Sequence, residues 1–127
     1  MSFSNYAETA SLNWLLDPAS SPTRPSAIYV ALYTAAPSDA GGGTEVTGGS
    51  YARTAGSFTV SGDTASNAAN IEFPTATASW GTVTHMALFD ASTSGNMLAW
   101  SALTSSKNVD TNDLLRFSTG QLTVTLD

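Results

Sequence analysis

The chain has 127 residues and a formal net charge of −6, with charged side chains making up only 11% of it. This length fits one domain with a modest core, and the apolar fraction of 42% excludes a disordered tail. Its four cations, Arg24, Arg53, Lys107 and Arg116, are scattered, which excludes the clustered positive charge that a nucleic-acid partner requires.

The first predicted element is a helix. Asn5-Tyr6-Ala7-Glu8 has the spacing of a capping box, with Asn5 accepting from the first-turn amides and Glu8 reaching back. Phe3, Tyr6, Ala7, Ala10 and Trp14 recur at helical spacing, and Leu12, Leu15 and Leu16 widen that face beyond the needs of one surface helix. Asp17-Pro18 ends it, because a residue before proline disfavours the α conformation. Such a helix commonly closes one end of its own β-domain; docking on a neighbouring subunit is the alternative.

Asp17–Ser26 carries three of the five prolines and reads as an extended connector. Ile28–Thr34 is predicted as a strand buried on both sides, with Ile28, Val30 and Leu32 alternating against Tyr29, Ala31 and Tyr33. Ala36–Ser50 is turn-rich and reads as a mobile loop. Its glycines lack the GK[ST] sequence and strand-to-helix setting of a phosphate cradle.

A series of short strands follows. Phe58 and Val60 alternate before a turn at Ser61-Gly62-Asp63, and Ala69, Ile71 and Phe73 alternate until Pro74 stops them. Val83–Phe89 and Met97–Leu103 form a hairpin across Asp90–Asn96. Asp110–Asp113 turns into Leu114–Phe117, and Thr119-Gly120 leads to Leu122, Val124 and Leu126. The pattern predicts a mainly β fold, a single-domain β-sandwich or jelly-roll-like barrel with one N-terminal α-helix. Its parts are a helix over residues 1–17, a Pro/Ser connector over 18–26 and a β-domain over 27–127.

Candidate chemistry is sparse. His85 is the one histidine and sits mid-strand, where a hydrogen-bonded structural role outweighs a general base. No G-x-S-x-G marks a nucleophile. Asp90–Gly95 echoes the start of a calcium loop, but its twelfth position is Ser101 rather than a bidentate acid. Asp110, Asn112 and Asp113 are read as turn residues rather than a cation site. No acid pair for glycoside hydrolysis stands out. Trp80, Trp100, Tyr29, Tyr33 and Tyr51 could stack on sugar, though aromatics on strands usually serve core or subunit contact. No catalytic residue, cofactor site or metal site is assigned.

With no cysteine, the chain has no disulfide framework or thiolate metal site. No apolar run approaches the roughly 18 residues of a membrane span, and the start MSFSNYAET lacks the features of a secretion signal. Neither membrane nor export is therefore expected.

Three stretches carry a family resemblance: Tyr29–Arg53 (YVALYTAAPSDAGGGTEVTGGSYAR), Phe73–Leu103 (FPTATASWGTVTHMALFDASTSGNMLAWSAL) and the terminal QLTVTLD. Together they resemble small virion proteins of tailed bacteriophages catalogued as tail-fibre-like. The resemblance implies a non-enzymatic structural subunit of the virion, assembled in the host cytoplasm, with coat or tail proteins as partners. A short chain without internal repeats suits an exterior capsid decoration or cement protein, a homo-oligomer by expectation. A tail-fibre or tail-tip subunit is the alternative, and a carbohydrate-binding host adhesin a third. Assembly contacts are expected from the N-terminal helix through Phe3, Tyr6 and Trp14, and from the Gly41–Arg53 loop through Arg53.

Overall fold

A computed structural model describes residues 1–126. The chain runs β1 (Ser2–Phe3), α1 (Asn5–Leu16), β2 (Ile28–Ala35), β3 (Thr44–Glu45), β4 (Thr54–Gly56), β5 (Phe58–Ser61), β6 (Thr64–Asn67), β7 (Ile71–Glu72), β8 (Gly81–Phe89), β9 (Met97–Val109), β10 (Arg116–Phe117) and β11 (Thr123–Thr125). The longest apolar runs pair with one another. Strand β2 lies antiparallel to β8 from Tyr29 opposite Phe89 to Tyr33 opposite His85, and β8 lies antiparallel to β9.

These three strands are the middle of a sheet ordered β1-β9-β8-β2-β3, with β4 also bonded to β2. Two smaller antiparallel sheets, β11-β6-β5 and β10-β7, make up the remaining strands. Alternation along β2 decides which side chains go where. Val30 and Leu32 join Val83, Met86, Leu88 and Ala99 in a core shared with Ile71, Phe117 and Val124 of the smaller sheets and with Phe73 and Leu122 beside them. That shared core makes the architecture mainly β and sandwich-like. Phe73 lies at its centre, 2% exposed and edge-on to Phe117 at 6.2 Å; its burial stabilises the fold by about 1.5–3 kcal/mol.

The opposite face of the large sheet holds a second cluster of Ala31, Tyr33, Ala87, Phe89 and Met97, with Trp100 half-buried against it. This face is closed by loops rather than a sheet. Asp90 forms the hairpin connection as expected: its carboxylate accepts from the Asn96 backbone at 2.7 Å and from the Asn96 side chain at 2.9 Å.

Several expectations need correction. The helix cap is Ser4, not Asn5: Ser4 is extended at φ −75° and ψ 163°, and its hydroxyl accepts from the Ala7 backbone at 3.1 Å. Phe3 belongs to β1 rather than to the helix, because Ser2 and Phe3 ladder with Trp100 and Ala99. The segment predicted as a loop over 36–50 contains β3, which bonds to the edge of β2. Strand β9 runs six residues past Leu103, to Val109, with its polar continuation absorbed by a register shift against β8 between Val83 and His85.

Candidate assembly surface

Helix α1 is fixed to the large sheet at its first turn. The Ser4 backbone donates to Leu98 O at 2.9 Å, the Ser4 hydroxyl donates to Met97 O, and the Asn5 backbone donates to Asp39 O at 3.0 Å. One side of the helix then leans on the body through Ala7, which is buried, and Ala10 and Ser11, which are half-buried. Small residues at these positions let the helix axis come close to the sheet. The far end is different. Leu12, Trp14, Leu15 and Leu16 are 59%, 66%, 68% and 76% exposed. Three of the four residues of the last turn, Trp14, Leu15 and Leu16, are thus apolar and exposed, with the half-buried Asn13 the polar exception.

Beside α1 the large sheet and the β11-β6-β5 sheet part and leave a groove of about 440 Å³. Phe3, Phe58, Leu88, Leu98 and Val124 line its floor and walls, while Tyr6, Val60 and Leu126 stand at its rim, 42%, 75% and 49% exposed. Of the residues expected to make assembly contacts, Phe3, Tyr6 and Trp14 thus lie at one end of the molecule, with Phe3 half-buried in the groove wall.

Arg53 is placed elsewhere and is turned inward, its side chain 9% exposed. Its guanidinium donates to both Glu45 oxygens, at 2.9 and 2.8 Å, and to the carbonyls of Ala91 and Ser94, at 3.1 and 2.7 Å. Its Cζ also sits 3.6 Å from the centre of the Phe89 ring. One residue thereby joins β3, the β8–β9 connection and the outer face of the sheet. Burial works to lower its pKa, but the hydrogen bonds and charge of Glu45 raise it by more.

Tyr51 completes this structure. Strand β2 bonds to β4 from Ile28 to Val30 and to β3 from Tyr33 to Ala35, which leaves its edge uncovered between them. The Tyr51 hydroxyl fills that gap, accepting from the Leu32 backbone at 3.0 Å and donating to Glu45 Oε2 at 2.7 Å, while the Val46 backbone donates to Leu32 O at 2.9 Å. Burial pushes the Tyr51 pKa far up; the Leu32 N–H opposes this and the Glu45 carboxylate adds to it. The same physics raises Tyr33, through burial first and Glu45 second, against Arg53. Sequence reasoning did not find Glu45 or the Tyr51 hydroxyl. An acid eight residues before an arginine across a glycine-rich segment was the available signal.

The remaining candidates have structural partners. His85 Nδ1 bonds the Thr84 hydroxyl at 2.8 Å, and the ring tilts against Trp100 at 6.2 Å. Asp113 accepts from the Asp110 backbone at 2.8 Å, and Asp110 accepts from Asn108 at 3.1 Å, which is turn chemistry. Among the described residues no group of three His, Cys, Asp or Glu side chains converges. The aromatic set divides between the two faces. Trp80 and Tyr51 are packed edge-to-face at 5.5 Å in the core, whereas Tyr33 and Trp100 belong to the outer cluster, with Trp100 donating to Asp39 at 2.8 Å. No single platform of five rings exists.

The Trp80 indole donates to Gly49 O at 2.9 Å, and here glycine is required. Gly49 has φ +56°, and a Cβ on it would lie 2.7 Å from Ala78 O and 2.8 Å from the indole nitrogen. This pins the far end of the glycine-rich segment to the core. No helix among the described residues is long and apolar enough to cross a membrane.

The site is thus an apolar helix end and groove on a β framework braced by buried hydrogen bonds. No curated protein matches the chain. A family model does, over residues 2–125, nearly the full length, and its description is Podophage GP4 fiber I protein gp80. The chain therefore belongs to this podophage fibre family, and the protein is a structural component of a tailed-phage virion.

Proposed function

We propose that this protein is a non-enzymatic subunit of the phage tail-fibre apparatus, assembled in the host cytoplasm and joined to other virion proteins through the α1 end of the molecule. The observation that carries this reading is the last turn of α1, where Trp14, Leu15 and Leu16 stay exposed on a β fold whose main core cluster contains no residue of α1. Large apolar patches are seldom left uncovered on soluble proteins. The family description supports a fibre over a capsid cement protein. Phe3, Tyr6 and Trp14 are the contact residues, and Arg53 supports assembly indirectly by holding the Gly41–Arg53 segment in shape.

The test is location. Antibody-gold labelling of intact particles should decorate the tail, and particles lacking the protein should adsorb poorly to host cells. Label spread over the head, with adsorption unchanged and genome lost more readily on heating, would instead establish the decoration role. The short, repeat-free chain is the feature that keeps this second reading in play.

A further inference from the structure

We infer that the apolar groove beside α1 is filled by a second copy of this chain, which inserts its own Trp14–Leu16 turn there and receives its partner's in return. This rests on the reading of α1 as an assembly element and adds who the partner is. Three observations point to self-association. The first is self-complementarity: the molecule carries an apolar projection, Leu12–Leu16, and an apolar recess of about 440 Å³ at the same end. The inner side of α1 is itself a wall of that recess, through Tyr6, Ala7 and Ala10. A helix end entering it lies against the partner's helix, so one contact covers both projections and both grooves, as an isologous interface does.

The second is area. Tyr6, Leu12, Trp14, Leu15, Leu16 and Val60, between 42% and 76% exposed, leave on the order of 700 Å² of residue surface in water. That approaches the ~800 Å² that each partner contributes to a standard interface. The third is charge. Arg53 and Arg116 are engaged by Glu45 and Glu72, while Arg24 and Lys107 form no ion pair among the described residues, and only Arg24 lies at this end. Arg24 lies in the connector between Thr23 and Pro25, which border the groove, and the acids of this end are Glu8, Asp17 and Asp63. Exchange of helix ends gives each Arg24 an acidic neighbour from the other copy.

The experiment uses the purified full chain and intact particles. Sedimentation at micromolar concentration should give at least twice the mass of one chain, and Leu15→Glu combined with Leu16→Glu should reduce it to one, with an unchanged circular dichroism spectrum. Because the chain has no cysteine, contact can be read by mixing differently tagged Leu16→Cys and Val60→Cys proteins under oxidation. A disulfide between the two tags is expected, whereas Leu114→Cys mixed with Leu16→Cys should give none. A monomeric parent protein, or cross-linking as efficient through Leu114 as through Val60, overturns the inference. If the parent is monomeric and the double variant is still excluded from particles, α1 docks on a different virion protein and the fibre-assembly reading survives. If the double variant is incorporated at the parent level, that reading falls.

Discussion

The residues that matter most to this fold are polar ones in buried places. Tyr51 uses its ring in the core, stacked on Phe73 at a centroid distance of 6.3 Å, and its hydroxyl at the β2 edge. Tyr51→Phe keeps the ring but leaves the Leu32 N–H without a partner, so it should cost about 1–3 kcal/mol in chemical denaturation. The same hydroxyl predicts a pH response. Below its ordinary pKa of 10.0, Tyr51 is neutral in both folded and unfolded chains. Above it the unfolded chain releases the proton and the folded chain holds it, so unfolding gains and stability falls as pH rises. A series of melting curves from about pH 8 to pH 11 should show this alkaline loss, and a shallower one in Tyr51→Phe, with Tyr33 providing the remainder. An equal slope in both proteins would exclude Tyr51 as the source. Asn67 is the second such residue, 1% exposed. Its amide donates to Ala69 O and Ser118 O at 2.9 Å each and its oxygen accepts from the Leu122 backbone at 2.9 Å. Asn67→Ala should cost about 1–3 kcal/mol by calorimetry, because it removes three hydrogen bonds and leaves the buried Leu122 N–H without a partner.

At the scale of elements, short strands depend on side-chain anchors. Strand β3 has two residues, too few to persist by ladder bonds alone, and the Arg53–Glu45 pair holds it. Arg53→Lys preserves the charge but not the forked geometry that reaches Glu45 and two carbonyls together. It should destabilise by roughly 2–3 kcal/mol and raise amide exchange across residues 41–53 before the rest of the sheet is affected. Uniform exchange throughout the molecule would count against a local anchor. The strands legible in the sequence are those whose apolar alternation states their own burial: β2, β5, β7, β8, the first half of β9 and the end at Leu122 and Val124. Strands β3, β4 and β6 have no such alternation; Thr64–Asn67, for example, is TASN. Their pairing is decided by partners far along the chain, β2 for β3 and β4, and β11 on one side of β6. The site was half legible. Apolar spacing marked α1, but its exposure depends on where Ser4 attaches it, and Arg53 looked like a surface cation because Glu45, Ala91 and Ser94 meet only in the fold. Surface salt bridges such as Arg116–Glu72, half-exposed at 3.6 Å, add little.

At the scale of the whole molecule, the main core cluster contains no residue of α1. Deleting residues 1–17 removes α1 and the two-residue β1 but not the shared core of Val30, Leu32, Phe73, Val83 and their neighbours. The shortened protein should retain its β-rich circular dichroism while its incorporation into particles drops at least tenfold by immunoblot, a change of roughly 1.4 kcal/mol or more in binding. Loss of the β signal would show instead that the helix is needed to close the core. The manner in which α1 is fastened has one further consequence. Its hold on the sheet is concentrated at one end, in the β1 ladder and the bonds of Ser4 and Asn5, and its other end continues into the largely exposed segment between Leu16 and Ile28. Those eleven residues, 17 to 27, span up to about 36 Å when fully drawn out. If the Ser4 bonds open, the segment stays attached through this connector as a tethered grapple, able to capture a docking partner before the body has aligned with it.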